Sequence, residues 1–248
     1  MNSKKTSRPL REKKGRSEMI SALRAAFPHT LPILTGFLFL GISCGIYMTG
    51  EGFPFWYPLL SSVFVFAGSM EFVLVSLLTG AFDPISAVVM TLMINARHLF
   101  YGISMLEKYK SVRTLKPYLI FGLCDETFSI NYVTDVPVGV DKGLFMLSVT
   151  LLNHSYWIIG SALGGIVGSV LSVGIKGIEF VMTAMFIVIF IEQWKKHKNH
   201  VCEIAGLIIS VASLLIFGSE GFILPAMAAI LVFLSAARGL VEKKEGGA

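Results

Sequence analysis

Apolar runs long enough to cross a bilayer follow one another along most of this chain, joined by short polar stretches, and this pattern predicts helices rather than strands. The runs fall at 31–49, 56–79, 84–105, 117–133, 143–163, 177–194, 201–217 and 222–237. The expected fold is therefore an all-α, polytopic integral membrane helix bundle of about eight hydrophobic segments. It forms one transmembrane domain over 31–237, flanked by a basic N-terminal tail, 1–30, and a short basic C-terminal tail, 238–248. Within the first tail, Met19, Ile20, Leu23 and Phe27 recur at helical spacing with Glu18 and Arg24 off that face, which predicts a short amphipathic helix over 17–28 lying on the cytoplasmic surface.

Composition agrees with a membrane protein: 54% of the 248 residues are hydrophobic and only 15% charged, against about 25% charged in soluble domains. Eight of the 21 Lys and Arg lie between Lys4 and Arg24, marking a cytoplasmic tail that faces anionic lipid. No aromatic residue precedes Phe27, which argues against nucleic-acid binding. The first apolar run is a full span behind a long basic leader and reads as retained rather than as a cleaved signal. Cys44, Cys124 and Cys202 are widely spaced and lie in or beside apolar runs, so they read as small buried residues.

Charge also bears on topology. With eight complete crossings and a cytoplasmic N-terminus, 15 Lys and Arg fall inside and five outside, leaving out Arg97. The loop with Lys108, Lys110, Arg113 and Lys116 nevertheless lands outside. If 56–79 and 143–173 are broken hairpins returning to the outer side, the counts become 18 and two. Ala67-Gly-Ser69 interrupts the first stretch and Gly160, Gly164, Gly165 and Gly168 the second, as broken transporter helices would require. Close packing of unbroken helices through small residues explains the same composition, with Asn153, Trp157, Gly160, Gly164 and Gly168 on one stripe, and is the preferred reading. A short echo, Met70-Glu-Phe-Val73 and Ile178-Glu-Phe-Val181, hints at a two-fold plan.

The chemistry lies in polar residues set inside these runs. An ionised side chain at mid-bilayer costs a few kcal/mol, about 2.5 to 3.5 for Arg, so it normally faces protein or water. Asn95, Arg97, His98, Tyr101 and Gly102 share an arc of about 160° on a helix and predict one polar face. Gly122, Asp125, Glu126, Ser129 and Tyr132 share about 120° on another. Adjacent carboxylates repel when both are ionised, so one must hold a proton or meet a cation, with Arg97 or His98 the obvious partner. A structural ion pair is the alternative reading of the same residues. A third stripe, Glu179, Thr183, Phe186, Phe190 and Gln193, fits either the lining of a cavity for an aliphatic or aromatic ligand or plain helix packing. Glu71, just past the Ala67-Gly-Ser69 interruption, is a candidate proton or cation site or a second partner for Arg97. His154 reads as a packed, hydrogen-bonded residue. Nucleotide-binding loops, His-Glu-x-x-His and Gly-x-Ser-x-Gly are all missing, so no cofactor or metal is expected and hydrolytic enzymes lose weight.

Ala67-Gly-Ser69, Asn95-Ala-Arg-His98 with Tyr101-Gly102, Asp125-Glu-Thr-Phe128, Asn153 with Trp157 and Gly160, and Gly177-Ile-Glu-Phe180 with Thr183, Ala184 and Phe186 resemble the AzlC family in order and spacing. That family comprises the large subunits of bacterial branched-chain amino acid exporters. Glu71 departs from the pattern, which leads one to expect glutamine. The resemblance implies a non-enzymatic, multi-pass transporter subunit of the bacterial plasma membrane. Its partner would be a small membrane protein of the AzlD type, and its cargo valine, leucine, isoleucine or analogues such as azaleucine. It further implies that Arg97, helped by Asn95, meets the α-carboxylate and Asp125 or Glu126 the α-ammonium. Tyr101, Glu179 and Thr183 would line the site, the aliphatic group would rest on Phe186 and Phe190, and Glu71, His98 and Glu126 are the candidates for proton coupling. Two other readings remain: an intramembrane enzyme using Asp125, Glu126 and His98 on a lipid or isoprenoid, and a non-transporting scaffold.

Overall fold

The computed structural model describes residues 8–171 apart from 81, 82, 111 and 113, residues 200–222, and parts of 180–195 and 225–236. The chain divides into two units, one ending at residue 181 and the other starting at 182. Among the described residues every regular element is a helix. The first unit runs α1 (Arg8–Gly50), α2 (Trp56–Phe64), α3 (Gly68–Thr79), α4 (Pro84–Tyr109), α5 (Lys116–Phe121), α6 (Asp125–Val133) and α7 (Lys142–Leu171). The second carries α8 (Val201–Gly221), whose helical geometry is interrupted at Gly218, φ 74°. Gly15–Gly50 within α1 and Val201–Ser219 within α8 are long and apolar enough to cross a bilayer.

The amphipathic segment and the first span are not separate helices, as expected from sequence, but one helix of 43 residues. At 1.5 Å per residue α1 is ~65 Å long, about twice the hydrocarbon thickness, so part of it projects beyond the membrane. It runs on through Pro28 and Pro32, where the hydroxyls of Thr30 and Thr35 donate to the carbonyls of Phe27 and Pro32 at 3.1 Å each. Nor does the segment lie free on a surface. Ala22, Ala26 and Thr30 are fully buried, whereas Ile20 and Phe27 of the expected apolar face are exposed. Ala26 packs with Phe145 and Val149 of α7 and Ile130 of α6, and the hydroxyls of Thr30 and Tyr156 meet at 3.1 Å. Short side chains every fourth residue let α7 come close, and that proximity decides which face is buried.

The same device continues inward. A Cβ added to Gly41 would lie 3.0 Å from the Cα of Gly160, one at Gly45 would lie 2.5 Å from the amide nitrogen of Gly165, and one at Gly164 would strike the backbone of Ile42. Close approach of two backbones replaces the hydrophobic driving force that lipid cannot supply. The glycines at 160–168 therefore pack an unbroken α7, as preferred from sequence. The stretch 56–79, by contrast, is broken between α2 and α3, and 117–133, expected to be continuous, is broken between α5 and α6. On α4, Ile85 and Val88 are each more than half exposed, an outward face suited to lipid rather than water, while the equally exposed Leu92, Leu99, Ile103 and Leu106 border a cleft.

Candidate functional site

Both breaks arise where α7 pushes a side chain under a glycine. In the first, Phe66 takes φ 44°, a left-handed conformation unusual for a residue of its size. Gly68 follows because a Cβ there would lie 2.9 Å from the Trp157 indole. In the second, a Cβ on Gly122 would collide with the methyl of Thr150, and Cys124 is extended before α6 begins. Asp125 and Glu126 thus open α6 rather than sharing a helix face with Gly122. Neither α3 nor α6 has a side-chain cap, so each break ends in a helix start with leading N–H groups and a positive dipole end.

Arg97 of α4 reaches both starts. Its Nη1 lies 2.9 Å from Asp125 Oδ2 in the first turn of α6, and its Nη2 donates to Ser69 Oγ in the first turn of α3 at 3.4 Å. Both side chains of the ion pair keep 34% of their surface accessible. Glu126 stands half-buried beside Asp125. Tyr101, one turn along α4 from Arg97, stacks on Phe128 of α6 with centroids 4.5 Å apart and planes at 15°. At the far end of α6, Lys108 Nζ donates to the carbonyls of Asn131 and Tyr132 at 3.0 and 2.6 Å. α4 therefore holds α6 at both ends, by a carboxylate at its start and by free carbonyls at its finish.

Beneath the breaks, α7 presents Thr150, Asn153, His154 and Trp157 along one buried stripe. Asn153 Nδ2 donates to Thr127 Oγ1 of α6 at 3.1 Å. His154 Nε2 donates to the Ser62 carbonyl at 3.1 Å, which leaves Nδ1 to accept from the Tyr118 hydroxyl at 2.8 Å. That ring joins α2 to α5, as expected of a packed histidine. Trp157 Nε1 donates to Glu71 Oε1 at 2.7 Å, and Ser61 Oγ donates to Oε2 at 2.8 Å. Glu71, fully buried, thus has these two donors in place of the ion pair with Arg97 weighed from sequence. Trp157→Phe keeps the ring over Gly68 but removes the donor, stranding a buried carboxylate oxygen. Thermal unfolding in detergent should show a loss of about 1.5–3 kcal/mol, and an unchanged melting temperature would mean that Glu71 does not need this bond.

A cleft of about 590 Å³ lies along the opposite side of α4, lined by residues that include Val65, Phe66, Asn95, His98, Gly102 and Leu123. The polar arc of α4 is thereby divided. Arg97 and Tyr101 turn to α6, whereas Asn95, His98 and Gly102 line the cleft. His98 Nδ1 donates to the Asn95 carbonyl at 3.2 Å, so Nε2 is the atom open to proton exchange. The two faces meet at the breaks: Ala67 and Leu123 line the cleft, and each stands two residues before a group held by Arg97.

Of the residues expected in the site, Arg97, Tyr101, Asp125 and Glu126 come together between α4 and α6, Asn95 and His98 line the cleft, and Glu71 of α3 is bonded to Trp157 of α7. Glu179, Phe186 and Gln193 lie outside the described residues, as do Ile178 and Val181 of the second half of the Glu-Phe-Val echo. Thr183 and Phe190 belong to the second unit, where both are exposed and the Phe190 ring lies 5.8 Å from Trp194. Sequence reading gives no role to Ser69, Ser61 or the apolar residues of the cleft wall. Ser69 stands in the very interruption that was noticed, and an interruption exposes N–H groups that invite a charged neighbour.

Buried polar groups gathered at two helix breaks, within helices whose outer faces are apolar, define an all-helical membrane protein with an internal polar site. The sequence profile of a family described as "AzlC protein" matches residues 32–171. The "Branched-chain amino acid transport protein AzlC" of Bacillus subtilis is 58% identical over 93% of this chain and 91% of its own length. An "Uncharacterized membrane protein" of Haemophilus influenzae is 47% identical over 86% and 88%, and the "Inner membrane protein YgaZ" of Escherichia coli 24% identical over 76% and 79%. No solved structure matches. The chain belongs to the AzlC family.

Proposed function

We propose that this chain is the large subunit of a bacterial plasma-membrane exporter of branched-chain amino acids, working by exchange of a zwitterion for an internal ion pair. The supporting observation is the position of the Arg97–Asp125 pair, 2.9 Å apart at the uncapped starts of α3 and α6, with an apolar cleft on the other side of α4 that reaches Ala67 and Leu123 at the two breaks. An amino acid carries the same two charges as the pair it would open. Its carboxylate replaces Asp125 on the guanidinium, with the α3 and α6 N–H groups as further donors. Its ammonium goes to Asp125 or Glu126. The closed pair keeps the unloaded site neutral, so loading and unloading exchange partners without stranding charge in the membrane.

The aliphatic group rests in the cleft against Val65, Phe66, Leu99, Ile103 and Leu123. Phe186 and Phe190 were the sequence-based choice for this wall. Export is coupled to protons, with Glu71, His98 and Glu126 as carriers, since Asp125 and Glu126 outnumber the guanidinium beside them and Glu71 is buried against the neutral donors Trp157 and Ser61. About eight segments, a cytoplasmic N-terminus and a small AzlD-type membrane partner complete the proposal. Transport is also what the name of the Bacillus subtilis relative states, and nothing in the comparisons favours an enzyme.

The test is efflux of labelled valine from preloaded cells, with and without co-expressed partner. Asp125→Asn keeps the shape of the site and removes the ammonium's counter-charge, so efflux should fall about tenfold or more at every external pH examined. Wild-type rates throughout would take Asp125 out of the site.

A further inference from the structure

We propose that Gly102 sets the width of the side-chain pocket, admitting γ-branched amino acids because position 102 carries no side chain; this rests on the transport reading above. Most glycines inside the described helices are explained by contact. Gly41, Gly45, Gly160, Gly164, Gly165 and Gly168 have another segment's atoms where a Cβ would go, and Gly68 and Gly122 have the side chains of Trp157 and Thr150. A Cβ on Gly102 would meet nothing within 4 Å. Gly15, Gly36, Gly50, Gly206 and Gly218 have similar room, but none of them lines the cleft, whereas Gly102 does.

A glycine in a helix interior weakens the helix relative to alanine, and at position 102 no contact requires it. What it leaves is space, opening onto the cleft between His98 on the preceding turn and Leu106 on the next. Leu99 and Ile103 flank it with branched side chains, and Phe66, Ile120, Phe121 and Leu123 close the other walls. A leucine side chain needs more depth than a valine side chain, and the empty position supplies it. The polar end of the substrate is held at the Arg97 pair, which the cleft approaches at Ala67 and Leu123, each two residues before a group that Arg97 contacts. Adding carbon at 102 therefore shortens the pocket without touching the charges that orient the amino acid.

The experiment compares efflux of labelled leucine and valine from intact cells carrying the wild-type chain, Gly102→Ala or Gly102→Leu, with its partner present. Alanine favours the helix more than glycine does, so the first variant is not expected to fail by unfolding α4. The ratio of leucine to valine efflux should fall severalfold in Gly102→Ala and on the order of tenfold or more in Gly102→Leu. An unchanged ratio overturns the proposal. So does a parallel loss of both substrates, which would mean that another helix seats against Gly102. If the wild-type chain moves neither amino acid, the transport reading itself fails, an outcome separable from an unchanged ratio.

Discussion

Lysine in place of Arg97 should lower valine efflux by about two orders of magnitude while membrane insertion stays at the wild-type level. Two nitrogens of the guanidinium engage two different half-helices, Asp125 at 2.9 Å and Ser69 at 3.4 Å. A lysine ammonium is a single point charge and can satisfy one of these partners at a time. The positive charge that offsets Asp125 and Glu126 survives, so folding is spared, but the planar fork that would receive a carboxylate is gone. Immunoblots of membrane fractions alongside efflux rates separate the two effects. Normal efflux would exclude Arg97 from substrate contact.

A charge swap sharpens the distinction between a structural pair and a binding pair. Arg97→Asp combined with Asp125→Arg restores opposite charges across the same gap. If the pair only fastens α4 to α6, the double variant should recover both insertion and efflux. If it binds a zwitterion, insertion recovers and efflux does not. The guanidinium then sits on the first turn of α6, against the positive end of that helix dipole, and the substrate carboxylate has lost its place between two helix starts.

Much of the site was legible in the sequence because polar residues inside apolar runs carry their own explanation. Arg97 and Asp125 each needed a partner, and each is the other's. What could not be read was the division of the polar arc, since a helical wheel fixes which residues share a side but not what stands opposite each part of it. The break at Gly122 was missed for a related reason. Residues 117–133 contain one glycine and no local stop signal, and the chain is interrupted because Thr150 of α7, 28 residues further on, occupies the space of the missing Cβ. The opposite error occurred at Pro28 and Pro32, which look like helix stops. There, packing of Ala22, Ala26 and Thr30 on α7 and α6 supports the helix through both prolines. The glycine stripe of α7 had two readings from sequence, and only the presence of Gly41 and Gly45 opposite it selects packing over breakage.

Gly164→Leu should do the greatest damage to folding, costing at least about 3 kcal/mol, above the usual range for an overpacked core, and removing most of the protein from the monodisperse detergent-soluble fraction. Side chains in a core relieve overpacking by changing rotamer. At Gly164 the obstacle is the backbone of Ile42, which has no rotamer to change, so the helices themselves must separate. Separation would also undo the neighbouring contacts at Gly41, Gly45, Gly160 and Gly168, because all lie along one seam between α1 and α7. Gly36→Leu is the control: it adds the same side chain to α1 where a Cβ meets nothing within 4 Å, and it should leave solubility unchanged. Fluorescence-detected size exclusion with a melting series reads both variants on one scale, and equal behaviour would refute a backbone seam. Any efflux by surviving Gly164→Leu protein should fall as well, since the same helix carries Asn153, His154 and Trp157 beneath both breaks. A shift of α7 away from α1 moves the donors that fix Glu71, the Ser62 carbonyl and Thr127, and with them the two helix starts between which Arg97 is held.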